Sequence, residues 1–182
     1  VLTKPLITMP LFFWNDPQNK KYLSSYFLKF KNIWTHGDWV TETNNGGFIV
    51  HGRSDSTLKR SGIRIGTSEI YNAVKIIEHI QDSLIIHIDS KKDKLILFIK
   101  STFKISKSDL RSLIRENCSP RHVPDKIYKV PDIPYTLSGK KIEVPIKKIL
   151  MGQDSLKVIN KDSLRNPESI KWFEEFYKNL SR

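Results

Sequence analysis

Apolar residues recur along this chain at two spacings, about 3.6 residues and 2 residues, which predict helices and strands respectively. In residues 1–52, Asp16-Pro17 resembles a helix cap followed by a proline in the first turn, and an apolar, mainly aromatic stripe follows at helical spacing. The stripe consists of Tyr22, Leu23, Tyr26, Phe27 and Phe30. We predict that this stripe is part of a core.

A β-hairpin is predicted after that helix. Trp39-Val40 and Phe48-Ile49-Val50 flank Asn44-Asn45-Gly46-Gly47, which supplies the left-handed backbone positions that a tight turn needs. A helix plus a hairpin is too small to bury a core of its own. Residues 1–52 are therefore expected to be the edge of a missing domain or to pack on the C-terminal remainder of the chain.

The rest of the chain has the pattern of a small α+β domain of roughly 100 residues and a tail. The pattern predicts a helix over about 67–80, strands at 84–88 and 95–99, a helix capped by Ser106 or Ser108, a strand at 127–130 and a short helix from Pro145 to Gly152. In the tail, Asn166-Pro167 begins an amphipathic helix whose apolar face must dock on another surface. That face consists of Ile170, Phe173, Tyr177 and Leu180.

Composition and charge narrow the classes of partner. The chain has 182 residues, a net charge of +12 and a single cysteine, Cys118, expected to be a small apolar residue near a helix end. One cysteine allows no intramolecular disulfide, which favours an intracellular, reducing compartment. No apolar run approaches the roughly 20 residues of a membrane span. Polyanions could bind residues 55–182, which carry +9 of the charge, although the basic residues are scattered and form no stripe with interleaved aromatics.

Glycines and cations concentrate in two stretches. Residues 52–67 hold three glycines, four cations and one carboxylate. Ser138-Gly139-Lys140-Lys141 combines the glycine, hydroxyl and lysine that phosphate sites use, but no glycine stands five residues before Gly139, so it is not a Walker loop. Taken alone, this second stretch is best interpreted as a solvated turn.

Together, however, two features resemble the C-terminal motifs of the adenylate-forming acyl-CoA synthetases. These are Pro134-Tyr135-Thr136-Leu137-Ser138-Gly139-Lys140, and the stretch 52–70 with His36-Gly37-Asp38 before it. The likeness is closest to the acetoacetyl-CoA synthetase branch, which the segments 34–39, 66–71, 140–145 and 166–170 also resemble. The resemblance covers nearly the whole chain, and its motifs are specific in combination.

The resemblance implies a large N-terminal domain and a small mobile C-terminal domain that meet at the aspartate of a Gly-Arg-x-Asp motif, here Asp55. Residues 1–54 would be the C-terminal end of the large adenylation domain, residues 55–152 the small domain, and residues 153–182 a tail with a docking helix. The phosphate-binding loop and most of the acyl pocket would lie upstream of Val1. We therefore expect a truncated enzyme that is inactive alone, with the missing domain as its partner.

The implied reaction has two halves. A carboxylate attacks the α-phosphate of ATP to give an acyl-adenylate and pyrophosphate, and the thiol of CoA then displaces AMP. Acetoacetate would be the acid, ATP with Mg²⁺ and CoA would be the co-substrates, no metal would be bound permanently, and the location would be cytoplasmic. Lys140 matches the adenylation lysine, whose ammonium can bridge the attacking carboxylate and the α-phosphate. Lys141 is expected to be only a surface lysine.

Three further residues match nucleotide contacts of the family. Asp38 falls where the ribose hydroxyls are held, since a carboxylate can accept from two hydroxyls at once. Arg53 matches a second nucleotide contact, and Arg64 falls where related enzymes place a cation near the phosphates. For Asp38 and Arg53, a local ion pair in a turn is the alternative.

The resemblance implies that a different set of residues acts in the second half-reaction. Asp55 would be the hinge on which the small domain swings after adenylation, withdrawing Lys140. The loop at Gly62 would then line a narrow tunnel for pantetheine, because glycine has no Cβ, while nearby cations meet the phosphates. Ser61 and Arg115 match positions that contact CoA in acetyl-CoA synthetases.

The sequence departs from the family motifs at some positions, and two alternative functions stay open. Ser56 replaces a second aspartate of many acyl-CoA synthetases, and Lys59 and Ser61 differ from the asparagine and glycine expected in the acetoacetyl branch. An acetyl- or other short-chain acyl-CoA synthetase is the near alternative. A basic nucleic-acid-binding module is the alternative from another class, although nucleic acid is the less expected partner. The remaining histidines show no ligand spacing and are expected to be structural or exposed; they are His51, His79, His87 and His122.

Overall fold

The structure is a computed structural model that describes residues 1–54, 58–60, 63–88 and 93–180. Within these ranges, the side chains at positions 53, 59, 63, 64 and 180 are not described. The chain divides into two compact units, Val1–Asp55 and Ser56–Arg182. Helices and strands are present in both units, which confirms the predicted α+β class.

The first unit contains the predicted helix and hairpin. Helix α1 spans Lys20–Tyr26, and strands β1 (Asp38–Glu42) and β2 (Phe48–Arg53) pair antiparallel with a bulge near Trp39. Gly46 in the connecting turn has a φ of 78°, the left-handed conformation that the sequence predicts there.

Helix α1 starts later than predicted. Asp16 and Pro17 form a preceding turn in which the Asp16 carbonyl accepts from the Asn19 amide, while the Asp16 carboxylate accepts from the Tyr22 amide at 2.9 Å. Asn19 has a φ of 52°, and a left-handed residue interrupts a right-handed helix. The helix therefore begins at Lys20, after this interruption.

The apolar stripe of α1 is core only in part. Tyr22, Tyr26 and Phe27 surround Trp34, which is buried and stacks on Tyr26 with 3.7 Å between the ring centroids. Leu23 and Phe30, in contrast, are exposed, so this chain buries the predicted stripe only in part. A helix of seven residues has too little neighbouring structure within residues 1–54 to cover its whole apolar stripe.

The second unit is built on a three-stranded sheet. Strands β5 (Ile80–Ile88) and β6 (Lys94–Ser101) are antiparallel, and β7 (Lys126–Lys129) adds to β6 in parallel. Before this sheet, β3 (Leu58–Arg60) and β4 (Ile63–Ile65) form a short antiparallel hairpin. The sequence analysis did not predict this small hairpin.

Helices cover both faces of the sheet. Helices α2 (Thr67–Val74) and α3 (Lys107–Asn117) pack on one face, and α4 (Glu143–Leu150) and α6 (Ser169–Leu180) pack on the other, with α5 (Ser155–Val158) between them in sequence. Successive residues of β5 and β6 alternate between the two cores, as the strand period of two requires. The apolar runs of these strands are explained by burial on both faces.

Two helix boundaries differ from the prediction. Helix α2 ends at Val74 instead of continuing to residue 80, and Ile80 already pairs with Ser101 in the sheet. Residues 75–79 form turns and a bend between the helix and the strand, although the helical spacing of apolar residues continues past Val74. Helix α6 begins at Ser169, whereas the sequence predicted a start at Asn166-Pro167.

The tail belongs to the core of the second unit. Ile170 and Phe173 of α6 are fully buried, and the Phe173 ring lies edge-on to that of Phe98 in β6, 5.1 Å between centroids. Gly152, which follows α4, has a φ of 90° and faces Tyr177 of α6. The amphipathic face predicted for the tail therefore docks on the sheet of its own unit.

Candidate active-site loop

Lys140 lies in a tight loop between Tyr135 and Lys141, which form an isolated antiparallel bridge. The Thr136 amide donates to the Lys140 carbonyl at 2.9 Å, and the Lys140 amide donates to the Thr136 hydroxyl at 3.0 Å. These bonds fix the backbone around Lys140, whose side chain is exposed. A fixed backbone that projects a flexible ammonium suits contact with an anion outside the loop.

The tip of this loop needs a left-handed residue. Gly139 has a φ of 77°, and its amide donates to the Thr136 carbonyl at 2.9 Å. A Cβ at Gly139 would meet nothing within 4 Å, so the requirement is conformational and not steric. Glycine at this position lets the chain turn sharply and expose the next residue, Lys140.

Lys141 is not the simple surface lysine that the sequence analysis expected. Its ammonium lies 2.7 Å from Oδ1 of Asp82 and 4.2 Å from the centroid of the Tyr71 ring, and it also donates to the Ser83 carbonyl. Only 20% of the side chain is exposed. Adjacent residues of an extended segment point to opposite sides, so Lys141 turns toward the sheet while Lys140 faces outward.

Asp82 joins the two legs of the loop, which we define as its two ends at Tyr135 and Lys141. Its Oδ2 accepts from the Tyr135 hydroxyl at 2.6 Å, while Oδ1 binds Lys141. Burial, together with the Asp82 carboxylate, raises the pKa of Tyr135 above its usual range, so the hydroxyl keeps its proton and donates. The sequence analysis missed Asp82; the available signal was a carboxylate placed just before a run of strand-forming apolar residues.

Tyr71 connects the helices beneath the loop. Its hydroxyl donates to Oε1 of Glu143 at 2.5 Å and accepts from the Ile85 amide at 3.2 Å. Burial, and then the neighbouring Glu143 carboxylate, holds the pKa of Tyr71 well above its usual range. Tyr71 is thus a fixed hydrogen-bond donor that links α2 to the start of α4.

The tail holds the same loop along its other side. The Leu137 amide donates to the Ser163 carbonyl, and the Arg165 amide donates to the Tyr135 carbonyl, both at 2.9 Å. The Arg165 guanidinium lies over the Tyr135 ring, 5.0 Å from its centroid. The segment before α6 therefore runs beside the loop and contributes two backbone hydrogen bonds to it.

Asn166 completes this contact through a buried amide. It accepts from the Tyr135 amide at 2.9 Å and donates to the Ile133 carbonyl and to Oδ2 of Asp132, at 2.8 and 2.6 Å. Asp132 also binds Lys100 at 2.7 Å. Although burial raises the pKa of Asp132, the hydrogen bonds from Lys100 and Asn166 outweigh it and place the pKa below its usual range.

The first unit brings two of the predicted nucleotide residues together. Asp38 and Arg53 are Cα partners at the open end of the β1–β2 hairpin. Nε2 of His36 lies 3.6 Å from Oδ2 of Asp38, and the Ser54 amide donates to the Gly37 carbonyl at 2.6 Å. The turn around Asp38 is therefore closed by backbone bonds, while the Arg53 side chain lies outside the described part of the structure.

The other predicted site residues are distributed differently. Arg64 lies in β4, where its backbone is described but its side chain is not, and Arg115 is exposed in the last turn of α3. Asp55, Ser61 and Gly62 lie outside the described residues. The predicted hinge and CoA contacts therefore remain predictions.

One cation of the glycine-rich stretch is structural. The Arg60 guanidinium binds Oδ1 of Asp125 at 2.6 Å and the carbonyls of Val123 and Arg121 at 2.7 and 3.2 Å. This contact ties the β3–β4 hairpin to the segment that leads into β7. Arg60 is thus occupied by protein acceptors, which the sequence analysis did not anticipate for the cations of this stretch.

Cys118 and His122 also have structural surroundings. Cys118 ends α3, as predicted, and burial, followed by the charge of Glu69, raises the pKa of its thiol. Nε2 of His122 lies 2.8 Å from Oε2 of Glu69, and its Nδ1 lies 2.8 Å from the Ser119 hydroxyl. His87 is buried and contacts Asp93.

Within residues 1–54, 58–60, 63–88 and 93–180, no group of three or more His, Cys, Asp or Glu side chains could hold a metal ion. The helices of these ranges also include none that is long and apolar enough to cross a membrane.

Comparison with known proteins identifies the relatives of this chain. No protein-family model matches it. It is 41% identical over 179 residues to an acetoacetyl-coenzyme A synthetase of Rhizobium meliloti (strain 1021), covering 95% of this chain and 27% of that protein. It is 42% identical over 186 residues to the acetoacetyl-CoA synthetase of Caenorhabditis elegans, covering 97% of this chain and 26% of that protein.

A solved structure agrees with these relatives. The acetoacetyl-CoA synthetase from Streptomyces lividans superimposes with a TM-score of 0.89 and 40% sequence identity, covering 97% of this chain and 27% of that one. The chain thus spans about a quarter of the length of the relatives it matches. Over that quarter, the chain is homologous to the C-terminal part of the acetoacetyl-CoA synthetases.

Proposed function

We propose that this chain acts as the C-terminal part of an acetoacetate:CoA ligase that forms an acyl-adenylate from ATP and then transfers the acyl group to CoA. The observation that carries the proposal is the 40% identity, at a TM-score of 0.89, to the Streptomyces lividans acetoacetyl-CoA synthetase over 97% of the chain. The exposed, backbone-fixed Lys140 supports the same reaction. Acetoacetate as the acid follows from the names of the relatives alone.

In this proposal the two units belong to two different domains of the ligase. Val1–Asp55 is the C-terminal end of a large adenylation domain, and the remainder is the small domain that alternates between the two half-reactions. The tail counts as part of the small domain, because α6 is buried in its core. Asp55 would be the hinge between them.

Lys140 would act in the first half-reaction. A carboxylate oxygen attacks the α-phosphorus of ATP, an O–P bond forms, and the bond to pyrophosphate breaks. Two anions must approach each other in this step, and the Lys140 ammonium offsets their combined charge as it builds up in the transition state. Mg²⁺ would enter with the phosphates of ATP and neutralise charge on them.

Asp38, Arg53 and Arg64 would hold the nucleotide. The Asp38 carboxylate, 28% exposed at the end of β1, has oxygens that can accept from both ribose hydroxyls. Arg53 stands opposite it in the hairpin, and Arg64 would lie near the phosphates. Because Asp38 and Arg53 belong to the first unit and Lys140 to the second, these two nucleotide contacts and the catalytic lysine can separate between the half-reactions.

The second half-reaction would use the β3–β4 hairpin and α3. Ser61 and Gly62 follow β3 in the sequence, and Arg115 lies on α3. In this role Gly62 lines the pantetheine tunnel, and Ser61 and Arg115 contact CoA. The thiol sulfur attacks the acyl carbon, a C–S bond forms, and AMP leaves with the electron pair of the broken C–O bond.

The test is a chimera in which this chain replaces the corresponding C-terminal part of the Streptomyces lividans enzyme. We expect acetoacetate-dependent formation of AMP and acetoacetyl-CoA, with the unmodified parent as the control. If the chimera prefers another short acid, the acyl assignment is wrong. If it forms no adenylate but the chain binds RNA tightly, with affinity that falls steeply as salt rises, the nucleic-acid alternative replaces the ligase.

Lys140→Ala in the chimera tests the assigned role of this residue. We expect the adenylation rate to fall by about 10²- to 10³-fold, since one electrostatic stabiliser of the transition state is removed. Thioester formation from supplied acetoacetyl-adenylate should stay close to that of the unsubstituted chimera. Equal loss of both half-reactions would refute the role, and Lys147→Ala on α4 is a control lysine outside the loop.

A further inference from the structure

We propose that Asp82 positions Lys140 for adenylation by binding both legs of the loop that carries it. This inference rests on the proposed function of Lys140. Asp82 itself would not contact the substrate, so its role is that of a positioning residue. The carboxylate acts through Tyr135 on one leg and through Lys141 on the other.

The geometry closes a ring through the loop. Tyr135 and Lys141 are bridged through the backbone, and their side chains converge on the two oxygens of Asp82, at 2.6 and 2.7 Å. Asp82 also accepts from the Ser83 amide at 2.7 Å. Each carboxylate oxygen therefore has a loop partner, and β5 supplies the rigid base on which the loop stands.

Apolar packing does little to hold the tip of the loop. Leu137 is 68% exposed, and Ser138 and Gly139 are exposed as well. Apolar burial therefore contributes little to fixing the residues next to Lys140. The Asp82–Lys141 pair is shielded, with side chains 21% and 20% exposed, so solvent screens it less than an ion pair in open solvent.

Loss of the Asp82 contacts should affect one half-reaction only. If the loop shifts by about 1 Å, Lys140 misses the α-phosphate, and errors of this size cost about 10²-fold in rate. A general loss of stability would lower both half-reactions together. The ratio of the two rates therefore separates positioning from folding.

The experiment uses Asp82→Asn and Lys141→Met in the chimera, each measured in both half-reactions. We expect adenylation to fall by about 10- to 100-fold while thioester formation from supplied acetoacetyl-adenylate is retained. Lys141→Arg keeps a cation for Asp82 and should recover much of the rate. Glu69→Gln is the matched control for Asp82→Asn, because it neutralises another paired carboxylate of the same unit, which lies 2.8 Å from His122 and contacts neither leg.

A second measurement reports the geometry without activity. In the 182-residue chain, Asp82→Asn should speed hydrogen exchange at the amides of Thr136 and Lys140, while amides of the β5–β6 pair keep their protection. Equal loss in both half-reactions, or no selective loss in an active chimera, would overturn this inference alone. A chimera that forms no adenylate would overturn the proposed function and the inference with it.

Discussion

The two units of this chain differ in how their apolar residues are used. In the second unit, the sheet is buried on both faces by helices, and large side chains such as Phe98 and Phe173 are fully buried. Among the side chains described in residues 1–54, Trp34 is the only apolar one that is buried. Many other large apolar residues of the first unit are exposed, including Ile7, Trp14 and Phe48.

This difference shows that apolar residues can form either a buried core, as in the second unit, or an exposed contact surface, as in the first. So many exposed large apolar side chains are unusual for an independent unit and indicate a contact surface. We propose that the surface of the first unit is covered by the rest of a large adenylation domain, in agreement with the coverage of about a quarter of the relatives' length. The second unit, in contrast, has a core of its own.

The largest effect should come from a matched pair of phenylalanines. Phe173→Ala in the 182-residue chain should lower the free energy of unfolding of the second unit by about 3–5 kcal/mol, because it leaves a cavity in a filled core. Phe48→Ala, at a site of the first unit that is 67% exposed, should change the free energy of unfolding of that unit by less than about 0.5 kcal/mol. Urea unfolding measures both, and equal effects would contradict the comparison.

A functional contrast between the units is expected next. Asp38→Ala in the chimera should raise the KM for ATP by about 10- to 100-fold, since a charge-assisted contact to the ribose is lost. Because the nucleotide is held in both half-reactions, thioester formation from acyl-adenylate should weaken too, unlike in Lys140→Ala. Asp162→Ala, in the second unit and outside the loop, serves as the control; a defect confined to adenylation would remove Asp38 from nucleotide binding.

Two left-handed glycines sharpen the comparison within the second unit. Gly152→Ala should cost about 2 kcal/mol or more, because its Cβ would lie 2.5 Å from the Tyr177 hydroxyl in addition to the backbone strain. Gly139→Ala meets no neighbour and should cost about 1 kcal/mol from the backbone alone. Thermal unfolding measures the difference, and the reverse order would mean that α6 does not hold Tyr177 in place.

Alkaline pH should weaken the second unit gradually. The pKa of Tyr71 is raised in the folded state, so its stabilisation is complete below about pH 10, the ordinary tyrosine pKa, and is lost as pH rises above that value. The free energy of unfolding should fall by about 1.4 kcal/mol per pH unit for this tyrosine. Tyr71→Phe should make the fall shallower, and an unchanged slope would show that Tyr71 does not contribute.

Much of the fold could be predicted from the sequence. The β1–β2 hairpin, the strands of the sheet, the capping of α3 by Ser106 and the short helix at Pro145 all follow from local patterns of apolar, turn and capping residues. These features depend on interactions within a few residues, which periodicity reports directly. The resemblance to the acetoacetyl-CoA synthetase branch rested on motifs and is confirmed by the relatives.

The candidate loop shows where sequence reasoning stopped. Motif spacing selected Lys140 as the exposed cation, but Lys141 was dismissed, because two adjacent lysines are alike until the strand direction and the position of Asp82 are known. Asp82 and Tyr135 are 53 residues apart, and no local pattern joins them. The same reason applies to the start of β5, where Ile80 pairs with Ser101.

The sequence by itself therefore determined most of the elements and the glycine that turns the loop, because these follow from local backbone preferences and from the spacing of apolar residues. Lys140 was selected by the resemblance of its motif to the family. The tertiary structure alone decided which charged residues are structural, as for Lys141, Asp82 and Arg60, because the partner of a charge is set by distance in space and not by distance along the chain.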